Sequence, residues 1–237
     1  GMMIANVNER GYKTSFEYDL TTQKVTAETN AEGKRYEYQY DPNGNQIYQK
    51  DPLGYEVVRQ FDATFNKPTY EKNQKGAETR WEYDSKGNLT KMTNAEGKAA
   101  TFAYNNYGQL IASMDFNGNK TIYAYTAAGD LEMITDALGS VTRLTYDGLG
   151  RMVSRIDPLG RISAYHYDAN DNLLGIAGPL GYNVQFVYDR NSRLIKQIDP
   201  KGGESTFAYD QSENLTAQAN QLGFQTKFEY GLMNEKL

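Results

Sequence analysis

Tyr146-Asp147-Gly148-Leu149-Gly150-Arg151-Met152, followed by Asp157-Pro158-Leu159-Gly160, is the stretch whose reading decides the fold. It holds two turn signals of one kind. In each, an Asp at the first position can accept hydrogen bonds from the turn's own amides, and a Gly at the fourth tolerates positive φ. Pro158 presets φ at the second position of the later signal. These residue sets predict type I turns closed by a glycine bulge, a common hairpin connection. The stretch between the two turns is of strand length.

Working outward, the Tyr-Asp pair recurs as Tyr18-Asp19, Tyr40-Asp41, Tyr83-Asp84, Tyr167-Asp168, Tyr188-Asp189 and Tyr209-Asp210. Phe61-Asp62, Tyr104-Asn105, Tyr125-Thr126 and Tyr230-Gly231 are degenerate copies. The spacings are 22, 21 and 22, and then 21 to the end. A second glycine, from Gly11 to Gly223, stands seven residues before every one of these aromatics. Both one-residue insertions therefore belong to the other arm. Some copies are worn: Phe65, Asp171, Ser192 and Glu213 stand where the turn glycine is expected, and Gly178-Pro179 and Asn220-Gln221 replace Asp-Pro. Self-similarity at a fixed short period marks a repeat architecture.

The arms alternate. In Lys34-Arg35-Tyr36-Glu37-Tyr38-Gln39-Tyr40 the three tyrosines share one face of a strand. Two residues before the marker aromatic stand Phe16, Tyr38, Trp81, Phe102, Tyr123, Tyr165, Phe186, Phe207 and Phe228, with Arg59 and Leu144 in the other two copies. The second arm opens on an aliphatic residue such as Leu89, Leu110 or Leu131, often with another four residues later, as at Met114, Ile156 and Ile198. No 3.6-residue pattern is sustained, and a turn signal interrupts every ten or so residues, so a helical reading fails. The fold expected is all-β: tandem antiparallel β-hairpins of ~21 residues stacked into a long curved or spiralling sheet. Residues 1–10 read as a lead-in in which Gly1-Met2-Met3 is a tag remnant. Residues 11–237 read as a single array of about eleven repeats.

Composition fits this. Of 237 residues, 20 are Tyr, 22 Gly and 6 Pro, which suits half-buried sheet faces and many tight turns. The absence of Cys excludes disulfides and zinc–thiolate sites. The net charge of −5 and the scattered basic residues argue against a nucleic-acid groove. No window approaches the ~20 apolar residues of a membrane helix, so membrane insertion is not expected. No signal peptide is legible.

The Tyr-Asp pairs resemble acid–base dyads, but many periodic copies of one active site do not make an enzyme, and adjacent strand residues face opposite ways. His166 occupies an outward slot that Glu82 and Thr145 fill elsewhere. Asp168-Ala169-Asn170-Asp171-Asn172 resembles a calcium loop faintly, yet lacks its glycine and final Glu and coincides with a repeat turn. Asn88-Leu89-Thr90 fits a glycosylation sequon at an ordinary turn position. The chain is therefore expected to be no enzyme and to use no cofactor. The aromatic ladder is the serious candidate. Tyr38, Trp81, Phe102, Tyr123, Tyr165 and Phe186 either pack within the sheet and against neighbouring repeats, or offer a ligand or cargo surface, since a large uncovered apolar face usually has a partner. Unpaired terminal strands are expected to promote self-association.

The period and both turn motifs resemble the RHS, or YD-repeat, family, whose signature reads roughly Tyr-Asp-x-x-Gly-Arg-Leu followed by Asp-Pro-x-Gly. The resemblance covers nearly the whole chain. It implies a segment of a hollow β-shell from a large bacterial protein, secreted or at the cell surface, with animal relatives in teneurins. It implies as partners an enclosed toxin domain or glycans, and a setting in bacterial competition or type VI secretion. The segment that closes such a shell and a variable toxin domain are not recognisable in this sequence.

Overall fold

The computed structural model describes residues 4–231, and they form strands joined by tight turns, with one short 3-10 turn at Pro179–Gly181. Gly1-Met2-Met3, read as a tag remnant, lies outside the described residues. The chain divides into two compact units, Gly1–Ile122 and Tyr123–Leu237. In the first, every strand from Ala5–Val7 to Leu110–Met114 pairs antiparallel with its neighbours in sequence. In the second the same meander runs from Leu131–Thr135 to Gln225–Lys227. The all-β hairpin array expected from the sequence is the observed fold.

Both turn types close as their residues dictate. At Asp84 the backbone N–H donates to Asn88 C=O (2.9 Å), and Gly87 N–H donates to Asp84 C=O (3.0 Å). The Asp84 carboxylate accepts from the amides of Lys86 and Asn88, both at 2.8 Å. At Asp157 the same pattern recurs, with amides of Leu159 and Arg161 on its carboxylate at 2.9 and 3.0 Å. The fourth residue takes positive φ, and Asp171, Ser192 and Glu213 adopt φ 66, 61 and 67 in place of glycine. At the worn turn Gly178 brings no carboxylate, and the turn is closed instead by Tyr182 N–H on Pro179 C=O, with Leu180 at φ 58.

Two readings need correction. The one-residue insertions lie in the Tyr-Asp turns, not along the strand that follows. Asn66 N–H donates to Asp62 C=O and Gln23 N–H to Asp19 C=O, so each of these turns is one residue longer. The left-handed residue is consequently Asn66 (φ 55) and not Phe65.

The second correction concerns faces. In every described Tyr-Asp hairpin the register slips by one residue just before the marker aromatic. In Ala99–Tyr104 against Leu110–Met114, Ala103 opposes Ala112 but Tyr104 opposes Leu110, and Ile111 is left over. Such a β-bulge reverses the alternation behind it. Leu110 therefore joins Tyr104 and Phe102 on the aromatic face, while Met114, opposite Thr101, lies on the other. The aliphatic pair spaced four apart is split between faces.

The core is thin. Ala27, Val57, Ala100 and Val184 are its buried apolar members among the described residues. Val57, Ala100 and Val184 each stand four residues before a marker aromatic, on the aromatic face. Ala27 lies on the other face between Glu17 and Glu37, and Arg35 bridges both carboxylates.

Candidate functional site

The aromatic face is positioned by strand alternation. Tyr38, Trp81, Phe102, Tyr123, Tyr165 and Phe186 are all half-buried, whereas the intervening Gln39, Glu82, Ala103, His166 and Val187 are exposed. His166 sits opposite Gly175 on the outward side, as its slot predicts. Across the hairpin, Tyr38 faces Gln49, Trp81 faces Met92, Phe102 faces Ser113, Tyr165 faces Ile176 and Phe186 faces Gln197. Aromatics of successive repeats are thus separated by an intervening strand, which contributes amides and hydroxyls as often as apolar groups. Where Arg59 replaces the aromatic, it pairs with Glu71 at 2.8 Å. Shallow grooves mark this side. One of about 280 Å³ is lined by Ser205, Phe207, Gln218 and Phe224. Phe102 and Ser113 also border a groove of about 390 Å³ whose other lining residues, among them Met114 and Lys120, lie on the opposite face.

The marker tyrosines do something sequence reading missed. The hydroxyls of Tyr83, Tyr146, Tyr167, Tyr209 and Tyr230 donate to the backbone carbonyls of Pro68, Leu131, Met152, Leu194 and Leu215, each fifteen residues back. Each tyrosine therefore ties its repeat to the bulge of the preceding hairpin. The residue after the turn's left-handed position completes the tie. Arg151 donates to its own Asp147 carboxylate (2.7 Å), to Asp168 C=O (2.9 Å) and to the Asp171 carboxylate (2.7 Å), and lies 4.9 Å over the Tyr167 ring. Arg193 treats Asp189, Asp210 C=O and Tyr209 the same way, and Lys24 and Lys67 stand over Tyr40 and Tyr83. A planar guanidinium can hold several acceptors while stacking on a ring. The signal was present in the sequence as a basic residue sixteen before a marker tyrosine, in phase at four repeats.

The Asp side chains are spent on this edge. The Asn88 side chain holds the Asp84 carboxyl below its usual range, as Arg151 does for Asp147, Asn172 for Asp168 and Arg193 for Asp189. The calcium-like stretch is a working turn, with Asp168 capped by Asn170 and Asn172 amides and Asp171 bonded to Arg151. No group of His, Asp and Glu able to hold a metal ion occurs among the described residues. The lowered carboxyls favour the folded state at any pH above the free-aspartate value of 3.8, and this advantage is lost as pH falls through the lower folded values. The melting temperature is therefore expected to stay level from pH 7 to about 5 and to drop below about pH 4, read by circular dichroism.

A family model described as Teneurin YD-shell matches residues 2–146, and one described as RHS Repeat matches 132–162 and 167–204. No curated protein matches. The crystal structure of TcdB2-TccC3-TEV aligns with 95% of this chain at 14% identity and a TM-score of 0.56. This chain spans 16% of that one. A Photorhabdus luminescens Tc holotoxin pore aligns with 98% of this chain and 19% of its own, at 13% identity and a TM-score of 0.37.

Proposed function

Because this chain belongs to the Teneurin YD-shell family, we propose that it is a non-enzymatic wall segment of a hollow β-shell, in a secreted or surface bacterial protein that encloses a toxic polypeptide. One observation carries this reading: the wall is two-sided. One face is a periodic run of half-open aromatics, and the other exposes polar slots such as Glu17, Glu82 and His166. The Asp carboxylates are engaged in closing their own turns and the marker hydroxyls in joining repeats, which supports a structural role for both. An apolar lining facing inward suits a chain held incompletely folded, because exposed apolar segments find partners there.

The test is the parent protein. Its reading frame is expected to continue into further repeats and a non-repetitive segment. That segment is expected to resist protease in the intact protein and to become cleavable once the shell is unfolded in denaturant. A non-repetitive segment cut equally fast before and after unfolding would overturn the enclosure.

A second reading has the ladder recognise sugars. It draws on rings that sit beside amides, as Tyr38 does with Gln49 and Phe186 with Gln197. It requires saturable binding of one glycan class by the purified chain, weakened in Trp81→Ala and Tyr123→Ala.

A further inference from the structure

Pro-Leu-Gly occurs at three turns of the same class: Pro52-Leu53-Gly54, Pro158-Leu159-Gly160 and Pro179-Leu180-Gly181. The residue before it is Asp51, Asp157 and Gly178 in turn, and in the first and third the residue after it is Tyr. The chain thus carries its own substitution experiment. With Asp in place, its carboxylate accepts the leucine amide at 2.9 Å in both turns, and the amide of Tyr55 or Arg161 at 3.0 Å. Gly54 and Gly160 N–H donate to the Asp51 and Asp157 C=O, and Leu53 and Leu159 keep negative φ. With Gly178 in place, no carboxylate is there to receive the Leu180 amide. The turn moves on by one residue: Tyr182 N–H donates to Pro179 C=O, Leu180 takes φ 58 and ψ 29, and Gly181 takes φ 79.

Positive φ at both central residues makes this a type I′ turn, whose first central position suits Asn, Asp or Gly. A leucine there is strained, and at 101% exposure no packing offsets the strain. The strand leading into the turn is weakened too. Gly175 is buried in mid-strand, with Val184 C=O 3.1 Å from where a Cβ would stand. It gives the open state extra backbone freedom and the closed state no side-chain contact. We infer that the hairpin tip from Ala177 to Asn183 is a weak joint, which opens ahead of the capped turns and admits an endoprotease that accepts leucine. Cap and strain both act on the local opening equilibrium, and cleavage follows that equilibrium when reclosing is fast. The bond broken is Leu180–Gly181. Water adds its hydroxyl to the Leu180 carbonyl carbon and a proton to the Gly181 nitrogen, which leaves as the amine.

Two measurements on the unaltered chain test this. The Gly178 amide, bonded to Tyr182 C=O, should exchange its hydrogen about tenfold faster than the Asp157 amide, bonded to Arg161 C=O, after correction for intrinsic rates. Brief chymotrypsin digestion read by mass spectrometry should cut Leu180–Gly181 about tenfold faster than Leu53–Gly54, which offers the protease the same Pro-Leu-Gly-Tyr sequence. Gly178→Asp restores the cap and should erase both differences. Asp157→Gly should create a second joint, with a fast cut at Leu159–Gly160. Equal cutting at Leu53 and Leu180 in the unaltered chain overturns the inference. So does a fast cut at Leu180 that survives Gly178→Asp, or a cut at Leu159 that stays slow in Asp157→Gly.

Discussion

Gly87→Ala is expected to destabilise the chain by about 3 kcal/mol, against about 1.5 kcal/mol for Gly97→Ala. Both glycines hold positive φ, 81 and 79. An L-residue there costs roughly 1–2 kcal/mol for the backbone alone. The two sites differ in what a new Cβ would meet. At Gly97 nothing lies within 4 Å. At Gly87 three carbons of the Phe65 ring stand 2.9, 3.0 and 3.2 Å away. Phe65 belongs to the lengthened turn of the preceding repeat and roofs the next turn's glycine. Relieving the overlap means moving the ring or the turn, which adds roughly 1–3 kcal/mol. Urea midpoints of the two variants measure the difference. Equal midpoints would show that the ring yields freely and that the roof contributes nothing.

Val184→Asp is expected to cost about 3 kcal/mol or more. Val184 is 7% exposed, in the strand Asn183–Tyr188, opposite Ile176 on the aromatic face. A carboxylate there has no partner and must be desolvated or protonated. Its neighbour Gln185 is exposed on the other face, and Gln185→Asp should cost less than about 0.5 kcal/mol. The contrast tests how much so thin a core matters. With few buried apolar residues, each one carries a larger share of the stability than in a two-layered domain. Similar urea midpoints for the two variants would mean that the turns and cross-repeat bonds hold the array without it.

Much of this architecture is written in the turn residues. Asp and Gly at fixed offsets fix the hairpins because few other residues cap their own amides or adopt positive φ cheaply. The outward slot of His166 and the turn role of Asp168 followed from phase alone. The bulge did not. Residues such as Thr90 and Ile111 have ordinary strand chemistry, and only the pairing shows that they are surplus to the ladder. For the same reason Met114 and Leu110 could not be separated by periodicity. The insertion at Phe65 was misplaced because a worn glycine and a lengthened turn look alike until the hydrogen bond to Asp62 is seen. The ladder residues were legible as one face. Their partners were not, because register decides that Tyr38 meets Gln49.

The ties along the Tyr-Asp edge reach one period and stop: Arg151 to the turn of Asp168, Tyr167 to Met152, Arg193 to the turn of Asp210. A repeat excised or duplicated in phase leaves a turn, a marker aromatic and a backbone carbonyl in the same phase on each side of the join. Misaligned recombination within such a gene can therefore change the number of repeats without damaging any of them. Length becomes a trait that selection can adjust in steps, while the chemistry of each step stays constant.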